Sequence, residues 1–194
     1  MNDRLENRFK SHSTIDIPSA EALGVSRATL SYLVKTGELR RLARGVYSPA
    51  SEIPDELVII ASRSPNIVFS HETALVLLGL HNRIPALPSV TLPTGKRVPH
   101  SIETAVSVYH IKPEFHGLGL AQAKSFMGNT VPCYDRERTV CDMVRSYSRI
   151  DEETYVGALR NYAARRDKNL PRLFDYARTM GIEAKIHKAL EVLL

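Results

Sequence analysis

The sequence has no tryptophan, two cysteines and an aromatic content of only 7%. Two cysteines cannot build a disulfide framework, and without a second pair they do not make a structural zinc site. Cys133 and Cys141 are therefore expected to be reduced, packed thiols. No apolar run approaches the roughly 20 residues that span a bilayer, so no membrane partner is expected. The opening MNDRLENRFK has no apolar stretch behind its charges, unlike a signal peptide, which makes the cytoplasm the expected compartment. There is no internal repeat and no low-complexity tract.

Catalytic motifs are missing as well. His71-Glu72 begins like a zinc-protease motif, but positions 75 and 76 are Leu and Val, so the second histidine is absent. Thr94-Gly95-Lys96-Arg97 lacks the first glycine of a phosphate loop and the hydroxyl residue after the lysine. Glu183-Ala184-Lys185 lies in a predicted helix, where the two side chains cannot line the strand-edge metal site of a nuclease. Glu137 and Asp142 are five positions apart, about 140° around a helix, so they face apart. His110 and His116 have no further metal-ligating neighbour and read as surface histidines. No catalytic residue, metal or cofactor is expected, and the chain does not read as an enzyme.

What is present is a chain of 194 residues, 43% of them hydrophobic, enough for a sizeable core. Its net charge of +5 is unevenly spread. Residues 26–47 hold Arg27, Lys35, Arg40, Arg41 and Arg44 against the single acid Glu38.

The pattern around that cluster predicts a short amphipathic helix over residues 2–10, a brief strand over 14–17, and a helix from Pro18 ending at Gly24. Ser26 is a good N-cap for the next helix, where Leu30, Leu33 and Val34 repeat at i, i+3, i+4 before Gly37 closes it. Residues 39–47 predict two short strands around a turn. Two helices joined by a glycine-containing turn, then a hairpin, are the organisation of a winged helix-turn-helix.

On the second helix the apolar residues point inward, leaving Ala28, Ser31, Tyr32 and Lys35 outward, with Arg27 at the N-terminal edge. An arginine there can reach a guanine edge bidentately, and a small alanine can lie against a thymine methyl. Arg40, Arg41 and Arg44 suit phosphates or a narrow minor groove. These eight residues are the expected DNA contacts.

The Ser-Pro-rich stretch 48–54 reads as the linker. Beyond it the pattern predicts helices over 55–63 and 70–78, the latter capped by Ser70. Strands are predicted over 67–69, 88–93 and 105–111, and a hairpin over 121–134. Helices follow over 135–147, 151–166, 170–179 and 182–194. The expected fold is α+β: a winged helix-turn-helix domain over residues 1–50, then a second domain over 51–194. That second domain is mixed α/β through 134 and a mainly helical subdomain from 135 to 194. Arg145 and Arg149, with Arg160, Arg165 and Arg166, could form a second basic face toward a DNA backbone or RNA.

The run from Ser26 to Lys35 and that from Gly37 to Tyr47 resemble the N-terminal winged helix of AbiEi antitoxins from abortive-infection systems. Ser70-His71-Glu72-Thr73-Ala74-Leu75, Thr91-Leu92-Pro93-Thr94-Gly95-Lys96-Arg97 and Arg136-Glu137-Arg138-Thr139-Val140-Cys141-Asp142 are similar to segments of the same family, over roughly residues 14–180. The resemblance implies a phage-defence antitoxin that represses its own operon at duplex operator DNA with inverted repeats. It also implies neutralisation of a nucleotidyltransferase-like toxin encoded beside it, in a type IV system that does not require direct capture of the toxin. The toxin's own Gly-Ser start and Asp-x-Asp pair do not occur here, which assigns the chain to the antitoxin side. The alternative is a winged-helix transcriptional regulator whose C-terminal domain senses a ligand or mediates oligomerisation.

Overall fold

The computed structural model describes residues 3–191. The chain divides into two compact units, one formed by residues up to Pro65 together with Lys124–Val131, the other by Asn66–Ala123 and Pro132 onward. The protein is a mixed α/β structure with two separate sheets.

The first unit opens with α1 (Asp3–Phe9), β1 (Ile15–Asp16), α2 (Ile17–Ala22) and α3 (Arg27–Lys35). A hairpin of β2 (Leu39–Ala43) and β3 (Val46–Pro49) follows, then α4 (Glu56–Ala61). Asp16 caps α2 by accepting from the Ser19 amide at 2.8 Å, and Pro18 occupies the first turn, where its missing N–H leaves no bond unmade. Ser26 caps α3 by accepting from the Thr29 amide at 3.1 Å. Leu5, Phe9, Ile15, Ala20, Leu30, Leu33, Leu39 and Tyr47 form one buried cluster beneath these elements. Each large apolar side chain buried there contributes about 1.5–3 kcal/mol, which holds helices too short to persist alone. The sheet runs β1-β3-β2, all antiparallel.

Two expectations change here. Ser48 and Pro49 are buried in β3 rather than free in a linker. The compact unit also continues through residues 51–65 and takes in 124–131, past the expected boundary at residue 50. A buried polar network accounts for this extension. Asp55 caps α4 through Oδ1, accepting from the Leu57 amide at 3.1 Å. Its Oδ2 accepts from Ser125 Oγ at 2.5 Å and from Asn129 Nδ2 at 2.6 Å. Asn129 donates also to Ser13 Oγ at 2.6 Å and accepts from Thr14 Oγ1 at 2.7 Å. A buried carboxyl needs such hydrogen-bond partners, so these five residues hold one another in place.

The second unit contains β4 (Val68–Phe69), α5 (His71–Leu77), β5 (Ser89–Pro93), β6 (Ser107–Ile111) and α6 (Pro113–His116). The hairpin of β7 (Leu120–Lys124) and β8 (Thr130–Tyr134) follows, its tip belonging to the first unit. The chain then turns helical through α7 (Arg136–Arg145), α8 (Glu152–Ala164), α9 (Leu170–Thr179) and α10 (Glu183–Leu190). Strand order in the sheet is β6-β5-β4-β8-β7, with β4 antiparallel to β5 and β5 parallel to β6.

At the centre of the helices lies α7, whose residues from Glu137 to Val144 are all buried. Its Cys141 and Met143 share one buried cluster with Leu159, Tyr162, Leu173 and Ile186 of the following helices. Burial pushes the thiols of Cys133 and Cys141 up to about 12, and both are free. Arg138 has no exposed side-chain surface: Nε donates to Asp142 at 3.1 Å and Nη1 to the carbonyls of Phe115 and Leu118. Its guanidinium lies 4.1 Å from the Tyr134 ring centroid. Gly119 passes against the same arginine, where a Cβ would stand 2.5 Å from Arg138 Cβ. Among the described residues no helix is long and apolar enough to cross a membrane.

Candidate nucleic-acid interface

Of the helix and hairpin that follow Ser26, α3 buries Leu30 and Leu33 and exposes Arg27, Ala28, Ser31, Tyr32 and Lys35. Tyr32 is 63% exposed, an aromatic side chain left in water without a packing partner in the unit's core. Arg27 donates from Nε to Glu21 of α2 at 3.0 Å, and both side chains stay largely accessible. Such a surface pair is worth at most about 1 kcal/mol, so Arg27 is easily exchanged to another acceptor.

The hairpin places Arg40, Arg41 and Arg44 at the surface. Arg40 and Arg41 are consecutive, and a regular strand would send one of them to the buried face. Both arginines are nonetheless exposed, in unbroken register with Ser48 and Tyr47; the bulge follows them, between Arg41 and Ala43, and lets the consecutive Leu42 and Ala43 both be buried. Arg40 Nη2 donates to the Ala50 carbonyl at 3.1 Å and Arg41 Nε to that of Ala43 at 3.2 Å. Gly45 makes the turn at a φ of 79°, a conformation costly for a residue with a Cβ. Arg44 and Lys35 form no ion pair with a described residue. One small unit thus carries a polar helix face and a cationic hairpin.

Glu21 is the member of this surface that the sequence reading missed. Its signal was its place on the helix preceding Arg27, legible only once the angle between the two helices is known.

The second basic face is organised otherwise than expected. Helix α7 ends at Arg145, and Arg149 lies in a 3-10 turn, so the i, i+4 spacing does not describe a common helix face. Arg145 donates to Asp142 at 3.3 Å and to the His110 carbonyl at 3.5 Å, and Arg149 to that of Val108 at 3.1 Å. The two guanidiniums therefore occupy alternate carbonyls of the edge strand β6, where they block further strand pairing. Arg165 is paired with Asp167 at 2.6 Å, holding that carboxyl down at about 2. Arg160 and Arg166 are exposed.

The segment around His71 is a clamp rather than an open site. Ser70 makes no side-chain cap of α5; its hydroxyl accepts from Thr91 Oγ1 at 2.8 Å and shares a bond with His71 Nδ1 at 2.9 Å. His71 Nε2 bonds Ser146 Oγ at 3.0 Å, and the ring stacks on Tyr109 at 3.4 Å. Arg149 covers Tyr109 at 3.9 Å. Burial, and then the charges of Arg145, Arg149 and Arg138, hold His71 well below its ordinary 6.5. Burial and Glu72 push Tyr109 up to about 12.

Other candidate groups are also engaged. Glu137 accepts from the Tyr162 hydroxyl and the Asn169 amide, and Asp142 from Arg138 and Arg145. His110 bonds the Lys96 carbonyl and His116 that of Asn66. Among the described residues no group of three or more His, Cys, Asp or Glu could hold a metal ion.

Residues 3–50 match the family model for the transcriptional regulator, AbiEi antitoxin. The matched segment comprises the helices α1 to α3, the hairpin and all eight residues read from the sequence as DNA contacts. The match stops before the segments at 70–75 and 136–142. Over 97% of this chain and 80% of the other, the fold is similar to that in "Crystal structure of RV2827C protein from Mycobacterium tuberculosis", at 16% identity and a TM-score of 0.48. No curated protein matches the chain.

Proposed function

We propose that this chain is an autorepressor and antitoxin. Its N-terminal unit acts as a winged helix-turn-helix on duplex operator DNA with inverted repeats. Helix α3 enters the major groove with Arg27, Ala28, Ser31, Tyr32 and Lys35 toward base edges and phosphates, while Arg40, Arg41 and Arg44 take flanking phosphates. The observation that carries this reading is the exposed polar stripe of α3 beside a hairpin that exposes Arg40, Arg41 and Arg44. The family match over the same residues supports it.

The larger unit neutralises a nucleotidyltransferase-like toxin encoded beside the chain, in a type IV system of phage defence in the cytoplasm. It does so without enzymatic activity and without stable capture of the toxin. Support comes from the AbiEi match over residues 3–50 of the same chain, outside this unit, and from the lack in this sequence of the toxin's Asp-x-Asp pair.

Co-expression tests both roles together. The chain should rescue growth of cells expressing the neighbouring gene and should lower a reporter driven by the shared upstream region. Repression without rescue would overturn the antitoxin role and favour a regulator whose second unit senses a ligand or mediates oligomerisation. Rescue without repression would overturn the operator role.

A further inference from the structure

Within the second unit a half-open groove of about 580 Å³ is lined by Arg145, Tyr147, Ser148, Tyr155, Lys185 and Lys188, with two small apolar side chains. We propose that it binds a free nucleoside phosphate, the planar base on Tyr147 and the phosphates on Lys185 and Lys188. The inference is independent of the DNA-binding reading.

Charge decides the class of ligand. Among the described residues three cationic side chains line the groove and no carboxylate does. Arg145 is partly committed to Asp142, but Lys185 and Lys188 form no ion pair with any described residue. They stand three apart on α10, one turn, so both ammonium groups rise from the same helix face. A metal cation would be repelled here, and a wholly apolar ligand would strip water from the lysines without replacing it.

The aromatic residues narrow the class further. Tyr147 is 52% exposed, and Tyr155 meets it edge to face, ring centroids 4.7 Å apart at 67°. An edge-on neighbour supports the ring while leaving one face open to a flat partner. A bare phosphate would leave that face unused, whereas a nucleoside phosphate presents a stacking base and an anion together. The volume also lies within the range of small-molecule sites, about 300–1,000 Å³.

Calorimetry on the full chain with ATP, adenosine and inorganic phosphate tests the proposal. ATP should bind, and adenosine and phosphate should each bind at least about tenfold more weakly, since each makes half the contacts. Replacing both lysines (Lys185→Ala with Lys188→Ala) should weaken ATP by about tenfold or more and leave adenosine unchanged. Tyr147→Ala should weaken both ATP and adenosine. All three side chains are exposed, so the variants should keep the wild-type thermal midpoint, and duplex-DNA titration of the same samples reports the first unit separately. No heat with ATP at millimolar concentration would overturn the proposal, as would equal affinities in wild type and both variants, or binding of an acidic peptide in preference to ATP.

Discussion

Arg27 Nε donates to Glu21 Oε1 at 3.0 Å, joining the first residue of α3 to the helix before it. In free protein this pair holds the guanidinium in place and neutralises it; on DNA, a guanine edge or a phosphate would replace the carboxylate. Arg27→Ala should then narrow the gap in affinity between operator and scrambled duplex. Glu21→Gln should strengthen binding to both duplexes by about two- to fivefold, because a carboxylate beside the phosphates is removed. Fluorescence anisotropy with the two duplexes measures both effects. Equal weakening of both duplexes by Arg27→Ala would reassign that side chain to the backbone.

Asn129 joins Asp55, Ser13 and Thr14 through hydrogen bonds of 2.6–2.7 Å. Asn129→Ala leaves three buried polar groups short of a partner at once, and should cost about 2–4 kcal/mol in urea unfolding. Ser13→Ala removes one edge of the network and should cost about 0.5–1.5 kcal/mol. Similar small losses in both variants would mean that water replaces the asparagine and that the network does not define the first unit.

His71 is buried and neutral, and its imidazole is enclosed by Ser70, Ser146 and Tyr109 with Arg149 beyond. Its folded value lies below the ordinary 6.5, so below that pH the unfolded chain binds the extra proton. Stability is therefore full above about pH 6.5 and falls as pH drops, with a slope of up to about 1.4 kcal/mol per pH unit. Urea midpoints near pH 7.5 and 5.5 should show this slope in the wild type. It should be flatter in His71→Asn, since asparagine tolerates the φ of 47° at this position. The same slope in both proteins would place the titration elsewhere.

Gly119 has a φ of 71°, and its missing Cβ is what lets Arg138 pass. Gly119→Ala should cost about 2–4 kcal/mol, since backbone strain and a clash with a fully buried side chain act together. A thermal midpoint within a degree of wild type would contradict the tight approach.

Local chemistry made much of the first unit legible. Ser26 and the spacing of Leu30, Leu33 and Val34 determine α3 within one turn of chain, and the hairpin strands carry their own pattern. Features joining distant residues were not legible. Asn129 lies 115 positions from Thr14, and nothing near either residue marks them as partners. The extension of the first compact unit past residue 50 involves such distant partners. Ser70 resembled a helix cap because only its neighbours could be read, whereas its hydroxyl serves Thr91 across the sheet. That Arg145 and Arg149 reach the carbonyls of His110 and Val108 on the edge of β6 was equally beyond local reading.

The proposed DNA-binding surface is tested most directly by the salt dependence of duplex affinity. Full-length protein is titrated onto DNA from upstream of its own gene over a range of salt concentrations, as wild type, Arg40→Ala and Arg44→Ala. Each arginine that contacts a phosphate should make the slope of log K against log salt shallower by about 0.9 when removed, with both variants still folded. Slopes identical to wild type in both variants would contradict the placement of the hairpin on the DNA backbone.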